Sequence, residues 1–368
     1  MTIRYLLACV VAVSVTGALL WVLRHLALRI GLVDHPDERK QHAGDIALIG
    51  GIAMFCGLML SALTLEGSLG GYRSFFAAAA LLVIVGILDD FHELPAWSRF
   101  VAQIGAALIM TAGGGVVVTD LGPIVGSGSV SLGIWSIPFT VFAVVGVINA
   151  FNMLDGADGL AGSVALVALA LLAYVAWAGG RNLDAAMLGL LFCTVVVFLA
   201  FNARIPGRAQ ALVFMGDAGS MLLGFVLAFF AVSLSQGEQR AIAPAAALWI
   251  LAIPLLDTVG ILVRRMAAGR SPFLAATDHM HHLMFAVGLG VNRTVSLIVS
   301  AAILFGLGGV AAMKEGVTES VLFGGFLLLF LVHLWIVGVV SARVSSVGRA
   351  NAGQTKPTAP QRDLSPPR

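Results

Sequence analysis

Eleven apolar runs dominate this chain, each long enough or nearly long enough to cross a bilayer. They fall at about 5–23, 46–64, 74–88, 99–118, 137–154, 160–179, 186–202, 213–234, 242–263, 293–313 and 318–341. Backbone in lipid must satisfy its own hydrogen bonds, so each run is expected to be a helix. Charged residues make up only 11% of the chain, against about 25% in a typical soluble domain. The expected fold is an all-α polytopic integral membrane protein with about 11 transmembrane helices. Residues 1–344 read as the membrane domain. Residues 345–368, rich in Pro, Ser, Gln and charge, read as a disordered cytoplasmic tail. A net charge of +2 gives no basic field suited to nucleic acid. Cys9, Cys56 and Cys193 lie singly in apolar runs and read as small packing residues. The first run has no small-x-small cleavage site before Arg24, so it reads as an uncleaved helix.

Lys and Arg set the orientation. With the amino terminus periplasmic, 16 of the 21 fall on the cytoplasmic side, where the carboxyl terminus also lies. The polar clusters follow the same asymmetry. DHPDERKQHAGD (34–45), DDFHELP (89–95), NAFNMLDGADGLAG (149–162), the FNARIPGRAQ to FMGDAGS stretch (201–220) and RRMAAGRSPFLAATDHMHH (264–282) all take that side. Loops on the other side are short and bland. This points to an active site built from cytoplasmic loops.

Acidic residues at the mouth of a membrane helix are expensive. Asn152, Asp155 and Asp158 recur at i, i+3 and i+6, so a helical turn would give them a common face. A capped, solvated helix end is the competing reading. Asp89 and Asp90 follow an apolar run directly, and their mutual repulsion would be relieved by a cation or by a positive substrate group. Asp217 sits between Gly216 and Gly219, which suits close backbone approach by a ligand or a simple N-cap. Together these carboxylates make a hard-oxygen donor set of the kind Mg²⁺ prefers, since Mg²⁺ keeps waters and shares its shell with substrate phosphates. His279, His281 and His282 form a dense cluster after Asp278, open to metal, proton or phosphate. Asp257 lies about a turn and a half inside the ninth run, where it either lines a cleft or bonds to Thr258 and backbone. Arg264, Arg265 and Arg270 read first as topology anchors. No P-loop, nucleophile elbow or dinucleotide fingerprint is present in the sequence.

As an ordered set over residues 31–285, RKQH with the glycine pair at 50–51, the DD pair, NMLDGADGLAG, FMGDAGS, and SPF followed by DHMHH resemble the polyprenyl-phosphate N-acetylhexosamine-1-phosphate transferases. The bacterial undecaprenyl-phosphate N-acetylglucosamine-1-phosphate transferases are the most similar branch. The resemblance implies transfer of an N-acetylhexosamine 1-phosphate from a UDP-sugar to undecaprenyl phosphate in the bacterial inner membrane, with Mg²⁺ as cofactor and Mn²⁺ as its substitute. It implies Asp217 as metal ligand with Asp90 beside it, and Asp89 as the group that positions or deprotonates the lipid phosphate. Asn152, Asp155 and Asp158 would surround the metal and the nucleotide-sugar. Lys40, Asn202, His279, His281 and His282 would contact phosphate, nucleotide or sugar. A homodimer stays open. Two departures stand out. Ala47 replaces the family's usual proline before the glycine pair, which implies a change in loop stiffness. LAATD (274–278) replaces a proline-containing, basic loop associated with the sugar, so N-acetylglucosamine and other N-acetylhexosamines both remain candidates. The rival class is a proton-coupled transporter using the aspartates as a relay. One-sided polar loops and the lack of an internal repeat weigh against it.

Overall fold

The computed structural model describes residues 2–35, 44–126, 128–269, 271 and 279–354, with side chains to residue 344. In chain order the elements are α1 (Thr2–Ile30), β1 (Val33–Asp34), β2 (Ile46–Leu48), α2 (Gly50–Ala62), α3 (Arg73–His92), α4 (Ala96–Leu108), α5 (Ser136–Leu154), α6 (Leu160–Ala178) and α7 (Asn182–Asn202). They continue with β3 (Val213–Phe214), α8 (Gly216–Ser235), α9 (Pro244–Ile250), α10 (Ala252–Ala267), α11 (Met280–Ala286), α12 (Val291–Lys314) and α13 (Glu319–Gln354). Among the described residues, eight helices are long and apolar enough to cross a membrane. The chain is an integral membrane protein.

Each of the eleven expected runs falls largely on helix, with four corrections. The fold is not wholly α-helical. β2 pairs antiparallel with β1 and parallel with β3, so strands replace the starts of the runs expected at 46 and 213. Ala47, expected in a loop, is the middle residue of β2. The ninth run is broken at Leu251, and α9 and α10 meet at 87°. Pro254 explains the break, since it has no N–H for the carbonyl of Ile250 and its ring crowds that carbonyl. The second run yields a helix of only 13 residues, α2. The last helix runs on to Gln354, beyond the boundary expected at 345.

α8 is the central pillar. Its sequence MLLGFVLAFFAV is apolar on every face, the signature of a helix enclosed by others, and 94% of its apolar window is buried. α2, α3, α5 and α6 all pack on it. Close approach depends on glycine, as in lipid-embedded helix pairs generally. A Cβ on Gly51 would overlap the backbone of Gly219, one on Gly86 the backbone of Ala218, and one on Gly224 the backbone of Ile148. At the far end of the bundle, Phe75 packs edge-on to Phe229 with centroids 4.9 Å apart. Beside it, Tyr72 donates to Asp184, which Arg181 pairs at 2.6 Å while also reaching the Ser233 hydroxyl at 3.0 Å. That buried network ties α3, α7 and α8 together and leaves their opposite ends to form the site.

Candidate active site

The site begins where α8 begins. Gly216 has φ +68°, a conformation that favours glycine, and a Cβ there would collide with the Asp90 carboxylate. Asp90, at the end of α3, accepts from the Asp217 amide at 2.7 Å and from the Ala218 amide at 3.4 Å. It therefore caps α8 from a neighbouring helix, its two oxygens accepting first-turn amides at the positive end of the helix dipole. The resemblance put Asp90 beside a metal; here both its oxygens are engaged by backbone. Capping fixes the next side chain, Asp217, at the helix mouth. Asn152, from the last turn of α5, donates to Asp217 Oδ1 and to the Ser220 hydroxyl, the latter at 2.9 Å. The DD, MGD and NMLDG motifs are thus joined by direct hydrogen bonds.

Asp89 is only 4% exposed. Its Oδ1 accepts from the Leu94 amide at 2.7 Å, a contact made by the sharp turn after α3, where Glu93 adopts the left-handed conformation at φ +47°. Its Oδ2 lies 3.2 Å from Nη1 of Arg99, which stands 3.7 Å from Asp217 Oδ2. Arg99 bridges the two carboxylates. In the sequence Arg99 is one of the 21 Lys and Arg residues that set the orientation, with nothing further to mark it. The missed signal was its position: a cation in the first turn of α4 opposes the helix dipole, so it needs a nearby anion.

The loop between α5 and α6 splits its expected roles. Asp155 lies among like charges: burial first, then Asp217, Asp158 and Asp34 on β1, push its pKa up to about 7. Asp158 instead binds Arg204 Nε at 2.7 Å and the Ala211 amide at 3.2 Å, so it anchors the connection between α7 and β3. Asn202 was expected at the nucleotide. It is buried, accepts from the Gly159 amide at 2.8 Å and donates to the Val213 carbonyl at 2.9 Å. Both ends of its amide are engaged with backbone, so it positions α6 against β3.

The histidine cluster closes the other side. Asp257, in α10, accepts from His279 Nδ1 at 2.9 Å and from the Met280 amide at 2.9 Å. It therefore orients His279 as well as capping α11; of the two readings left open for it, the backbone bond is present, at Met280, and the bond to Thr258 is absent among the described residues. With Nδ1–H given to the carboxylate, His279 Nε2 is the ring atom left for a ligand. His281, 1% exposed, lies against Gly156, where a Cβ would overlap its Nε2. Neither of its ring nitrogens has a hydrogen-bond partner among the described residues. Burial lowers the His281 pKa to about 3, and burial followed by the charge of His279 lowers that of His282. Both rings are therefore held toward the neutral form. Lys40 and Asp278 lie outside the described residues.

Among the described residues, no three His, Cys, Asp or Glu side chains converge as a ready-made metal cage. The carboxylates still fit a divalent cation. Asp217 and Asp155 are oxygen donors, the charge of Asp217 makes ionisation of Asp155 costlier, and among the described residues Arg99 is the cation that stands against Asp89 and Asp217. A donor set this sparse suits a hard cation that completes its shell from water and phosphate.

The glycosyl transferase family 4 model matches residues 72–235, the span from α3 to the end of α8. The undecaprenyl-phosphate alpha-N-acetylglucosaminyl 1-phosphate transferase of Yersinia pestis is 37% identical over 317 residues, covering 86% of this chain and 87% of the relative. The protein of that name from Escherichia coli K12 is 35% identical over 335 residues, covering 91% and 90%. That from Haemophilus influenzae is 36% identical over 316 residues, covering 86% and 89%. At 35–37% identity over 86–91% of its length, the chain belongs to glycosyl transferase family 4, alongside these 1-phosphate transferases.

Proposed function

We propose that this protein transfers N-acetylglucosamine 1-phosphate from UDP-N-acetylglucosamine to undecaprenyl phosphate and releases UMP. The observation that carries the reading is the 35–37% identity, along nearly the whole chain, to relatives bearing that activity in their names. The site supplies chemistry to match. An oxygen of the lipid phosphate attacks the phosphorus that bears the sugar. One P–O bond forms there, and the bond to the bridging oxygen breaks, its electron pair leaving on UMP.

Both partners are anions, so approach is the main obstacle. Arg99 offsets the carboxylates of Asp89 and Asp217, and Asp89 at the end of α3 would position the acceptor phosphate. Asn152 holds Asp217 in one rotamer, and Asp90 holds the helix that carries it. His279, oriented by Asp257, offers Nε2 to the donor's diphosphate or sugar. Asp217 and Asp155 would hold a divalent cation, Mg²⁺ being the best fit, which when bound neutralises the diphosphate and the developing charge on UMP. Lys40 adds a cation from the segment between β1 and β2. Asp158 and Asn202 act by fixing the loops around the nucleotide.

The topology belongs to the same proposal. Eleven spans result if α2, α4 with its continuation, and the α9–α10 pair each count once. The charge bias then puts the carboxylates on the cytoplasmic face of the bacterial inner membrane. Donor labelled with ³²P at the sugar-bearing phosphate tests the reaction. Label in the lipid phase with UMP in the aqueous phase is expected; label released as UDP would mean sugar transfer without phosphate and would overturn the proposal.

A further inference from the structure

Beyond the Asp158–Arg204 pair, the connection from α7 to β3 carries Arg208, to which the proposed reaction gives no role. Ile205 to Arg208 form a tight turn, with backbone hydrogen bonds of 3.2 and 2.8 Å exchanged between its ends. Pro206 and Gly207, the latter at φ +84°, occupy the two central positions as a type II turn requires. The turn holds two arginines in place. Arg204 is fixed by Asp158, and Arg208 donates to the Ala203 carbonyl at 2.5 Å. Opposite stands the start of α12. Between turn and helix lies a cavity of about 800 Å³, lined by Arg204, Arg208, Asn292 and Arg293 among others.

Three facts set this cavity apart from scattered topology charges. Arg208 has a buried Nε with no hydrogen-bond partner among the described residues. Among those residues neither Arg208 nor Arg293 has an acidic partner, so two of the three positive charges are uncompensated. The first intrahelical bond of α12 runs from Thr294 to the Gly290 carbonyl, which leaves the amides of residues 291–293 without an intrahelical acceptor beside the same space. Its place in the fold adds a fourth. Asn202 ends α7 and Val291 opens α12, so the cavity sits at the rim formed by the ends of two helices long and apolar enough to cross a membrane. Ile205 in the turn and Val287 just before α12 are exposed apolar side chains at that rim.

We propose that this cavity is a second anion site, distinct from the one at Asp89, Asp155 and Asp217, that takes the phosphate headgroup of an anionic membrane phospholipid. Guanidinium groups match phosphate oxygens in pairs, and the pre-anchored turn spares the ordering cost of free arginines. Inorganic phosphate shares the charge but lacks acyl chains to lie against Ile205 and Val287. The inference does not depend on the reaction proposed above.

The test uses purified full-length protein in phosphatidylcholine-containing micelles, titrated with phosphatidylglycerol while the melting temperature is followed. A saturable rise is expected, half-complete at a concentration at least tenfold below that needed with added phosphatidylcholine. The Arg208→Gln/Arg293→Gln pair should raise that half-point at least tenfold, and Arg293→Lys should recover part of the loss. If the double variant does not fold, Arg293→Gln alone serves, because Arg293 is exposed. An unchanged half-point in the folded variants would overturn the site. Equal stabilisation by inorganic phosphate at the same concentration would overturn the assignment to lipid.

Discussion

Arg99→Gln is the substitution that best isolates the electrostatics of the site. The wild-type guanidinium lies 3.2 Å from Asp89 and 3.7 Å from Asp217. At an effective dielectric near 20, each attraction would be about 5 kcal/mol. Arg99 is 33% exposed at its side chain, so water and salt screen that figure to about 1–3 kcal/mol in total. Glutamine keeps the length and loses the charge. UMP release per unit enzyme should then fall roughly 10- to 100-fold in kcat/KM, with Arg99→Lys recovering part of it. The sign of the metal dependence is the sharper readout. Removing the competing cation leaves Asp217 more negative, so half-saturation by Mg²⁺ should move to lower concentration while kcat drops. Activity within twofold of wild type, with unchanged Mg²⁺ half-saturation and an unchanged melting temperature, would refute the bridging role.

Three further perturbations test the framework. Gly86→Ala puts a methyl into the Ala218 backbone and should cost about 2–3 kcal/mol of stability, read as a lower melting temperature in detergent; a neutral effect would mean α3 and α8 are less closely apposed. Asp184→Ala strands Arg181 and Tyr72 in a buried network and should cost about 3–5 kcal/mol, far from the carboxylates. His281 is held neutral, with its pKa lowered to about 3 from an unfolded value near 6.5. The unfolded chain therefore binds the extra proton between those values, and stability is lost as pH falls from about 6.5 toward 3. The limiting slope is about 1.4 kcal/mol per pH unit, and His281→Asn should abolish that component between pH 6.5 and 5. An identical slope in the variant would place the titration elsewhere.

The apolar runs were legible because lipid leaves the backbone few choices, and the carboxylates because charge at a helix mouth needs a reason. What stayed hidden was pairing. Asp89 and Asp90 are adjacent and chemically identical, yet one meets Arg99 and the other caps α8; a helical step of 100° per residue separates those fates, and only the fold says which way each points. Asn202 looks like a ligand residue in sequence, but its amide closes on the backbone of Gly159 and Val213. Asp257 was an unexplained charge inside an apolar run until α11 folded back to present His279. The break at Leu251 could have been read from Pro254. The three-stranded sheet could not, because its strands are two or three residues long and draw on distant segments. The glycine pair at 50–51 was visible as a motif, but its purpose, contact with the first turn of α8, belongs to packing.

The central claim is that Asp217 lies at the centre of a metal-dependent transfer of N-acetylglucosamine 1-phosphate. The direct measurement is UMP release by purified protein given Mg²⁺ and undecaprenyl phosphate, across UDP-N-acetylglucosamine and other UDP-N-acetylhexosamines, beside Asp217→Asn. The account predicts turnover with UDP-N-acetylglucosamine that requires both the lipid phosphate and the metal, and a loss of at least 10³-fold in the folded variant. Full activity in Asp217→Asn, or no UMP from any of the donors, would contradict it.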